Sequence, residues 1–141
     1  MSEANVRAKE VLADRFGKDT LLSLATTDEG RPYVRIVNSY YEDGYFYTVT
    51  YALSKKMKQI AQNPEVAVCG EWFTARGTGE NLGWVRDEKN GGMMTKLRDI
   101  FAAWYDNGHT NEEDQNTCLL RIKLTEGEVW TTGECCPFDF I

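Results

Sequence analysis

The chain of 141 residues has a mass of 16.1 kDa, the size of one domain, and a formal net charge of −6. Hydrophobic residues make up 42% and charged residues 27% of it, a balance typical of folded globular proteins. The acidic charge argues against binding to nucleic acid or to an anionic membrane surface, because both require surplus Lys and Arg. No apolar run approaches the ~20 residues of a membrane span, and the N-terminal segment lacks the apolar core of a signal peptide. We therefore expect one cytoplasmic domain, 1–141.

Cysteine and histidine usage argues against several kinds of site. The four cysteines form no C-x-x-C pair, and Cys69 and Cys118 fall in apolar, strand-like runs, so we expect buried thiols rather than disulfides. His109 is the only histidine and lies in a polar stretch, which is not the ligand pattern of a zinc site. The sequence also lacks the G-x-S-x-G motif of a hydrolase. Any catalytic chemistry is therefore expected to come from a bound cofactor, and no metal is predicted.

Hydrophobic periodicity predicts a helix followed by three strands in the N-terminal half. The helix covers 3–16, where Ala8, Val11, Leu12 and Phe16 recur at helical spacing before Gly17. Short turns that end in glycine join the three β-rich runs, 20–27, 31–41 and 45–51. This pattern predicts a meander of hairpins.

The C-terminal half alternates between helical and strand patterns. A short helix is predicted between its N-cap Ser54 and the stop at Asn63–Pro64, and a third helix from about 93 to 104. Gly77 and Gly79 predict a bulge or a close backbone approach. Strands are predicted at 65–72, 73–82, 117–124 and 128–132. Six or so strands with inserted helices favour a small antiparallel barrel.

The segment from Ser54 to Lys56 carries the clearest chemical signal. Its two lysines occupy the first turn of a helix, where the dipole makes a cation cost about 0.3–1 kcal/mol. They are explained if the helix N–H groups, the Ser54 hydroxyl and both ammonium groups converge on a phosphate; the alternative is a solvated helix with ordinary surface lysines. Arg35 favours the phosphate, because an arginine that faces a barrel interior needs an acidic partner or an anionic ligand.

The order of these motifs resembles the pyridoxamine 5′-phosphate oxidase-like flavin-binding split barrels. The match runs from about Thr20 to Trp130, and its most specific part is the block YFYTVTYALSKKMKQIAQNPEVAV. The resemblance implies a mainly β (α+β) fold, a six-stranded antiparallel split β-barrel with flanking helices. It also implies a homodimer that holds FMN at the subunit interface.

Carried over by position, the resemblance implies which residues contact FMN. The ring and the ribityl chain would be lined by Arg35, Ile36, Val37 and Asn38, with further flavin contacts from Tyr47 and Thr48. The phosphate would be held by Ser54, Lys55 and Lys56. Trp72 matches a position that the partner subunit often supplies, and Trp130 matches a tryptophan near the ring. No catalytic residue is assigned.

The C-terminal segment departs from the true oxidase, in which an Arg-x-His element follows the tryptophan and grips the substrate. Here Trp130 is followed by TTGECCPFDFI, with neither Arg nor His. We therefore expect no oxidation of pyridoxamine 5′-phosphate, and the chain resembles the shorter, general-stress-type members. Three functions remain open: an FMN-dependent oxidoreductase that passes electrons from NAD(P)H to a small acceptor, a non-catalytic FMN, haem or deazaflavin carrier or sensor, and a barrel that has lost its ligand.

Overall fold

A single antiparallel sheet of seven strands dominates the computed structural model, which describes residues 2–141. The strands are β1 (Thr20–Asp28), β2 (Arg31–Glu42), β3 (Tyr45–Tyr51), β4 (Glu65–Gly70), β5 (Phe73–Trp84), β6 (Thr117–Trp130) and β7 (Cys135–Asp139). The helices are α1 (Glu3–Phe16), α2 (Lys55–Gln62) and α3 (Gly91–Ile100), with a one-turn 3₁₀ helix, Glu88–Asn90, before α3. No helix among residues 2–141 combines the length and apolar character needed to span a membrane.

Six of the strands close into a barrel. They follow the order β3-β2-β1-β4-β5-β6, and pairing between β3 and β6 closes the ring. The long strand β6 uses one edge twice, pairing with β3 along Thr117–Lys123 and with β7 along Glu126–Trp130. The predicted six-stranded antiparallel split barrel with flanking helices is confirmed.

The barrel is split between β2 and β3. These strands pair only at their hairpin end, where Tyr40, Tyr41 and Glu42 face Tyr47, Phe46 and Tyr45. The rest of β2, 31–39, pairs with β1, and the rest of β3, 48–51, pairs with β6. Across residues 2–141, no strand lies between these two facing edges, which we call the split. Peptide groups along the split are therefore available to a ligand.

Helices cover both ends of the barrel. The buried residues of α1 are the four of its predicted apolar stripe, and Phe16 packs against the rings of Phe46 and Phe73 at centroid distances of 5.7 and 5.2 Å. At the other end, Met57 and Ile60 of α2 join the same core. Burying side chains of this size contributes about 1.5–3 kcal/mol each, which fixes α2 firmly against β1 and β5.

A second apolar cluster lies on the outer face of β3 and β6. Met94, Leu97 and Phe101 from the α3 region pack there against Tyr47 and Leu119. The helix was predicted to continue to Trp104, but α3 ends at Ile100 and a series of turns follows.

The structure corrects three further expectations. Strand β6 is continuous where the pattern predicted two strands, since Gly127 allows β5 to pack closely: an added Cβ would lie 2.6 Å from the Ala75 Cβ. Strand β7 was not predicted. Its Pro137 is tolerated because β7 lies at the edge of the sheet.

Cys69 is exposed instead of buried, since it points outward from β4, whereas Cys118 is buried as expected. The predicted irregularity near Gly77 is confirmed by a register shift.

Candidate anion and cofactor site

The N-terminus of α2 has an unsatisfied hydroxyl group. Ser54 is the N-cap, with extended backbone, yet its side chain makes no capping hydrogen bond. The Ser54 Oγ atom is buried and has no hydrogen-bond partner among residues 2–141. An N-cap serine normally accepts a bond from the second or third helical N–H group. Here both the hydroxyl and the first N–H groups of the helix remain available to a ligand.

Arg35 points from β2 toward the barrel interior, where it meets neutral acceptors. Its Nη1 donates to the carbonyl oxygen of Leu24 at 3.2 Å and to Thr26 Oγ1 at 2.7 Å. Its Nη2 donates to Gln59 Oε1 at 3.3 Å. Burial lowers the pKa of the guanidinium from its ordinary 12.5. Arginine nevertheless stays charged in proteins. Of the two partners that the sequence allowed for Arg35, an acidic residue or an anionic ligand, the acidic residue is missing from residues 2–141.

Lys56 is a second half-buried cation beside Arg35. Burial lowers the pKa of its ammonium below 10.5, and the charge of Arg35 lowers it further, against a small opposing effect from the buried Cys118 thiol. Within the described chain, 2–141, Lys56 forms no ion pair. Lys55 is exposed, with its Nζ 5.6 Å from the centre of the Tyr33 ring. Two adjacent, partly desolvated cations make this place strongly favourable for an anion.

The candidate residues 36–38 occupy both faces of β2. Ile36 points outward and is 66% exposed, whereas Val37 packs against the barrel core. Asn38 faces the same side as Ile36, and its Nδ2 lies 3.5 Å from the Asp19 carboxylate. This alternation follows from strand geometry. Of the four residues from 35 to 38, Arg35 alone hydrogen-bonds to α2 in the described part of the chain, through Gln59.

Tyr47 and Thr48 also lie on opposite faces of their strand. Thr48 is buried on the barrel side of β3, opposite Leu120 of β6. Tyr47 is buried in the α3 cluster beside Arg121, and burial raises the pKa of its phenol. Both residues come where β3 leaves β2, at the closed end of the split.

Trp72 and Trp130 lie at the other end of the barrel. The Trp130 amide donates to the Trp72 carbonyl at 2.9 Å, and Arg15 donates to the carbonyl oxygens of both. Trp72 is 58% exposed and has a positive φ of 50°, which is uncommon for a residue with a side chain. The turn between β4 and β5 is thus separated from α2 by the length of the strands. Within one chain, Arg35 and the 54–56 segment therefore lie together, whereas Trp72 and Trp130 lie at the opposite end of the barrel.

Thr26 and Gln59 belong to the site but were not singled out from the sequence. Both side chains are buried, and the Thr26 hydroxyl donates to Gln59 Oε1 at 2.5 Å. Their signal in the sequence is a polar residue at an apolar position. Thr26 continues the inward series of Leu22 and Leu24, and Gln59 lies on the buried face of α2.

An apolar patch covers the outside of the hairpin β1–β2. Its members are on the same face of paired strands and are 62%, 71% and 66% exposed: Leu21, Val34 and Ile36. We call these three residues the outer patch. Exposed apolar side chains that cluster in this way are typical of an interaction surface.

Known structures share this architecture. General stress protein 26 from Bacillus anthracis superposes with a TM-score of 0.68 at 19% identity, covering 94% of this chain and 99% of that one. A FAD-binding protein from Mesorhizobium loti gives 0.64 at 19% identity, with coverages of 90% and 92%. A heme-binding protein from Mycobacterium smegmatis gives 0.67 at 16% identity, with coverages of 99% and 59%. At these identities the likeness shows the fold alone.

The family follows from a sequence comparison. A search among curated proteins found no match. The family model described as pyridoxamine 5′-phosphate oxidase matches residues 8–131, which include all nine positions from Arg35 to Lys56 that the resemblance had associated with FMN, and six of the seven strands. The chain therefore belongs to the pyridoxamine 5′-phosphate oxidase family.

Proposed function

We propose that this chain binds FMN and acts as an oxidoreductase that passes electrons from NAD(P)H to a small acceptor. One observation carries the proposal: Arg35 is hydrogen-bonded to α2 through Gln59, Lys56 of the same helix is also half-buried, and neither cation has an ion pair in the described residues 2–141. Partly buried charges without a partner are costly unless a ligand neutralises them. A terminal phosphate supplies that neutralisation.

The donor set fits a phosphate. Ser54 offers a buried, unpaired hydroxyl group, and the first turn of α2 offers free N–H groups and the positive end of the helix dipole. Lys56 and Arg35 add charge-assisted hydrogen bonds, which are shorter and about twice as strong as neutral ones. Lys55, being exposed, contributes charge at the rim of the site. These groups would hold the phosphate of FMN.

The split fits the rest of the flavin. Its edges present peptide groups of 36–38 and of Thr48, and these would bind the polar edge of the isoalloxazine ring and the ribityl chain. A flavin bound there supplies the redox chemistry for electron transfer from a nicotinamide donor. The residues of this chain orient the ring and exclude water from its inner face.

The proposal includes a homodimer. The outer patch lies on the same hairpin as Arg35, so a second copy that covers this patch would also approach the split. In a two-fold dimer, the same surface of each copy forms the interface, and two equivalent sites result. It also offers a reason for Trp72 and Trp130 to lie far from Arg35 in one chain, since the partner's copies would complete the flavin site.

Haem is the second candidate ligand, because one similar structure is that of a heme-binding protein. His109 is the only histidine in the sequence, and it is exposed in the polar loop after α3. The phosphate donors at α2 support flavin over haem.

Absorption spectroscopy tests the proposal. The purified protein is mixed with FMN, freed of excess ligand, and then treated with NADH or NADPH without oxygen. We expect a retained flavin spectrum that bleaches on addition of the donor. A retained spectrum that does not bleach would indicate a binding protein or sensor without this activity. Failure to retain FMN would contradict the proposed cofactor.

A further inference from the structure

We infer that Gln59 and Thr26 are positioning residues for Arg35: they form a neutral brace that fixes the guanidinium toward an anion without neutralising its charge. This inference rests on the proposed FMN function, and it identifies what sets the preference of that site for a phosphorylated flavin.

The brace joins three elements. Gln59 Oε1, on α2, accepts from the Thr26 hydroxyl of β1 at 2.5 Å and from Arg35 Nη2 of β2 at 3.3 Å. Thr26 Oγ1 also accepts from Arg35 Nη1 at 2.7 Å. Each pair of members is therefore directly hydrogen-bonded. The helix that carries Ser54 and Lys56 is tied by this triangle to the strand that carries Arg35.

The acceptors around Arg35 are all neutral. A buried arginine is more often paired with a carboxylate, which satisfies its donors but also cancels its charge. Here two side-chain oxygens and the Leu24 carbonyl oxygen engage three N–H donors, and the other donors of the guanidinium have no partner among residues 2–141. A guanidinium held in this way keeps a fixed orientation and its charge, and it can make a bidentate contact with phosphate.

The position of Gln59 favours this role over simple packing. Gln59 is 4% exposed and lies on the apolar face of α2 beside Ile60, where an aliphatic side chain would avoid the cost of burying an amide. Its Nε2 has no partner among residues 2–141, so the amide is retained there although half of its hydrogen-bonding capacity is unused. The amide oxygen does form hydrogen bonds, and one of them comes from Arg35.

The substitution Gln59→Glu tests the brace, because it keeps the shape and gives Arg35 a carboxylate partner. The dissociation constants of FMN and of riboflavin, which lacks the phosphate, are measured by fluorescence quenching for wild type and variant. We expect FMN binding to weaken at least tenfold, the size expected for one charge-assisted hydrogen bond, and riboflavin binding to stay unchanged. Gln62→Glu adds the same charge at an exposed position of α2 and is the matched control; we expect it to leave both constants within about twofold.

Gln59→Met is the second variant, since it removes the brace without adding charge. We expect a smaller loss that is again confined to FMN. If Gln59 had only a structural role, its substitution would weaken the binding of both flavins alike, or would lower only the unfolding temperature. Either result would overturn the inference. If wild type prefers FMN but Gln59→Glu keeps that preference, the brace is wrong and the proposed function stands. If wild type binds both flavins equally, the phosphate site itself is wrong, and the brace with it.

Discussion

The neighbouring lysines of α2 occupy different surroundings, and this difference predicts unequal roles. Lys56 is half-buried beside Arg35, whereas Lys55 is exposed over the Tyr33 ring. Exposed charges interact weakly because water and salt screen them. We therefore expect Lys56→Ala to weaken FMN binding about tenfold or more, Lys55→Ala to weaken it less, and the double variant to weaken it most.

Fluorescence titration with FMN measures these constants. Lys58→Ala, at an exposed position of the same helix, is the control and should bind like wild type. Wild-type affinity in the double variant would contradict the phosphate site at α2.

The lowered pKa of Lys56 predicts a pH dependence. Its ammonium form is the one that binds phosphate, and burial together with Arg35 moves its deprotonation below the ordinary 10.5. FMN affinity should therefore be highest near neutral pH and should fall as the pH rises toward 10.5 and Lys56 loses its proton. Titrations across this range give the constants, with riboflavin in parallel to correct for ionisation of the flavin ring. Lys56→Arg, which stays charged, should remove most of the decline; an equal decline in that variant would exclude Lys56 as its source.

Some residues of the site could be predicted from sequence and others could not. Ser54 and Lys56 lie at the N-cap and in the first turn of one helix, so the local pattern is enough to propose a shared role for them. Gln59 and Thr26 matter because of a contact between α2 and β1, which no local pattern specifies. The sequence shows only that each is a polar residue at a position expected to be apolar. It does not show which residue each one contacts.

Strand β7 gives the C-terminal segment a structural role. Phe138 is buried in the main core, and the segment is tied to α1 by hydrogen bonds between Asn5 and the backbone of Asp139 and by an ion pair between Arg7 and Glu134. In this chain the segment after Trp130 thus completes the sheet. The segment contains Glu134 and Asp139 but no Lys, Arg or His, so it supplies no cation for a second phosphate.

We therefore predict that the FMN-loaded protein does not oxidise pyridoxamine 5′-phosphate. The assay follows the release of hydrogen peroxide and pyridoxal 5′-phosphate, with reduction of the same flavin by NADH or NADPH as the positive control. Turnover of about 0.1–10 per second, at the low end of ordinary enzyme rates, would contradict the prediction and would reveal a second cationic site.

The elements differ in how clearly the sequence marks them. Helix α1 matches its prediction because one apolar stripe and a terminal glycine define it locally. Strand β3 matches because short turns bound it. Strand β6 was divided and β7 was missed, since both depend on pairing: Gly127 is required by the close approach of β5, and Pro137 is acceptable because its strand is an edge.

At the scale of the whole molecule, the outer patch predicts self-association. A dimer would have about twice the 16.1 kDa mass in sedimentation experiments. Val34→Asp places a charge in the patch and should yield a monomer that has lost most of its FMN affinity. Val6→Asp makes the same change at an exposed position of α1 and should remain a dimer. A wild-type monomer that binds FMN tightly would contradict the proposed assembly.

The barrel itself could be predicted because short hairpins constrain which strands are neighbours. The spatial relation of the candidate residues could not. Trp72 and Trp130 were assigned to the same flavin as Ser54, but β4, β5 and β6 run the length of the barrel between them. The sequence order of these residues does not show how far apart they lie in the fold. The proposed dimer would bring them to one ligand.

The central claim is that the α2 cations and Arg35 form a site for the phosphate of FMN. Isothermal titration calorimetry of the wild-type protein with FMN and, separately, with riboflavin tests it most directly, since the two ligands differ only in that phosphate. We predict one FMN per chain, bound at least tenfold more tightly than riboflavin. Equal affinities for the two flavins, or binding of neither, would contradict the claim.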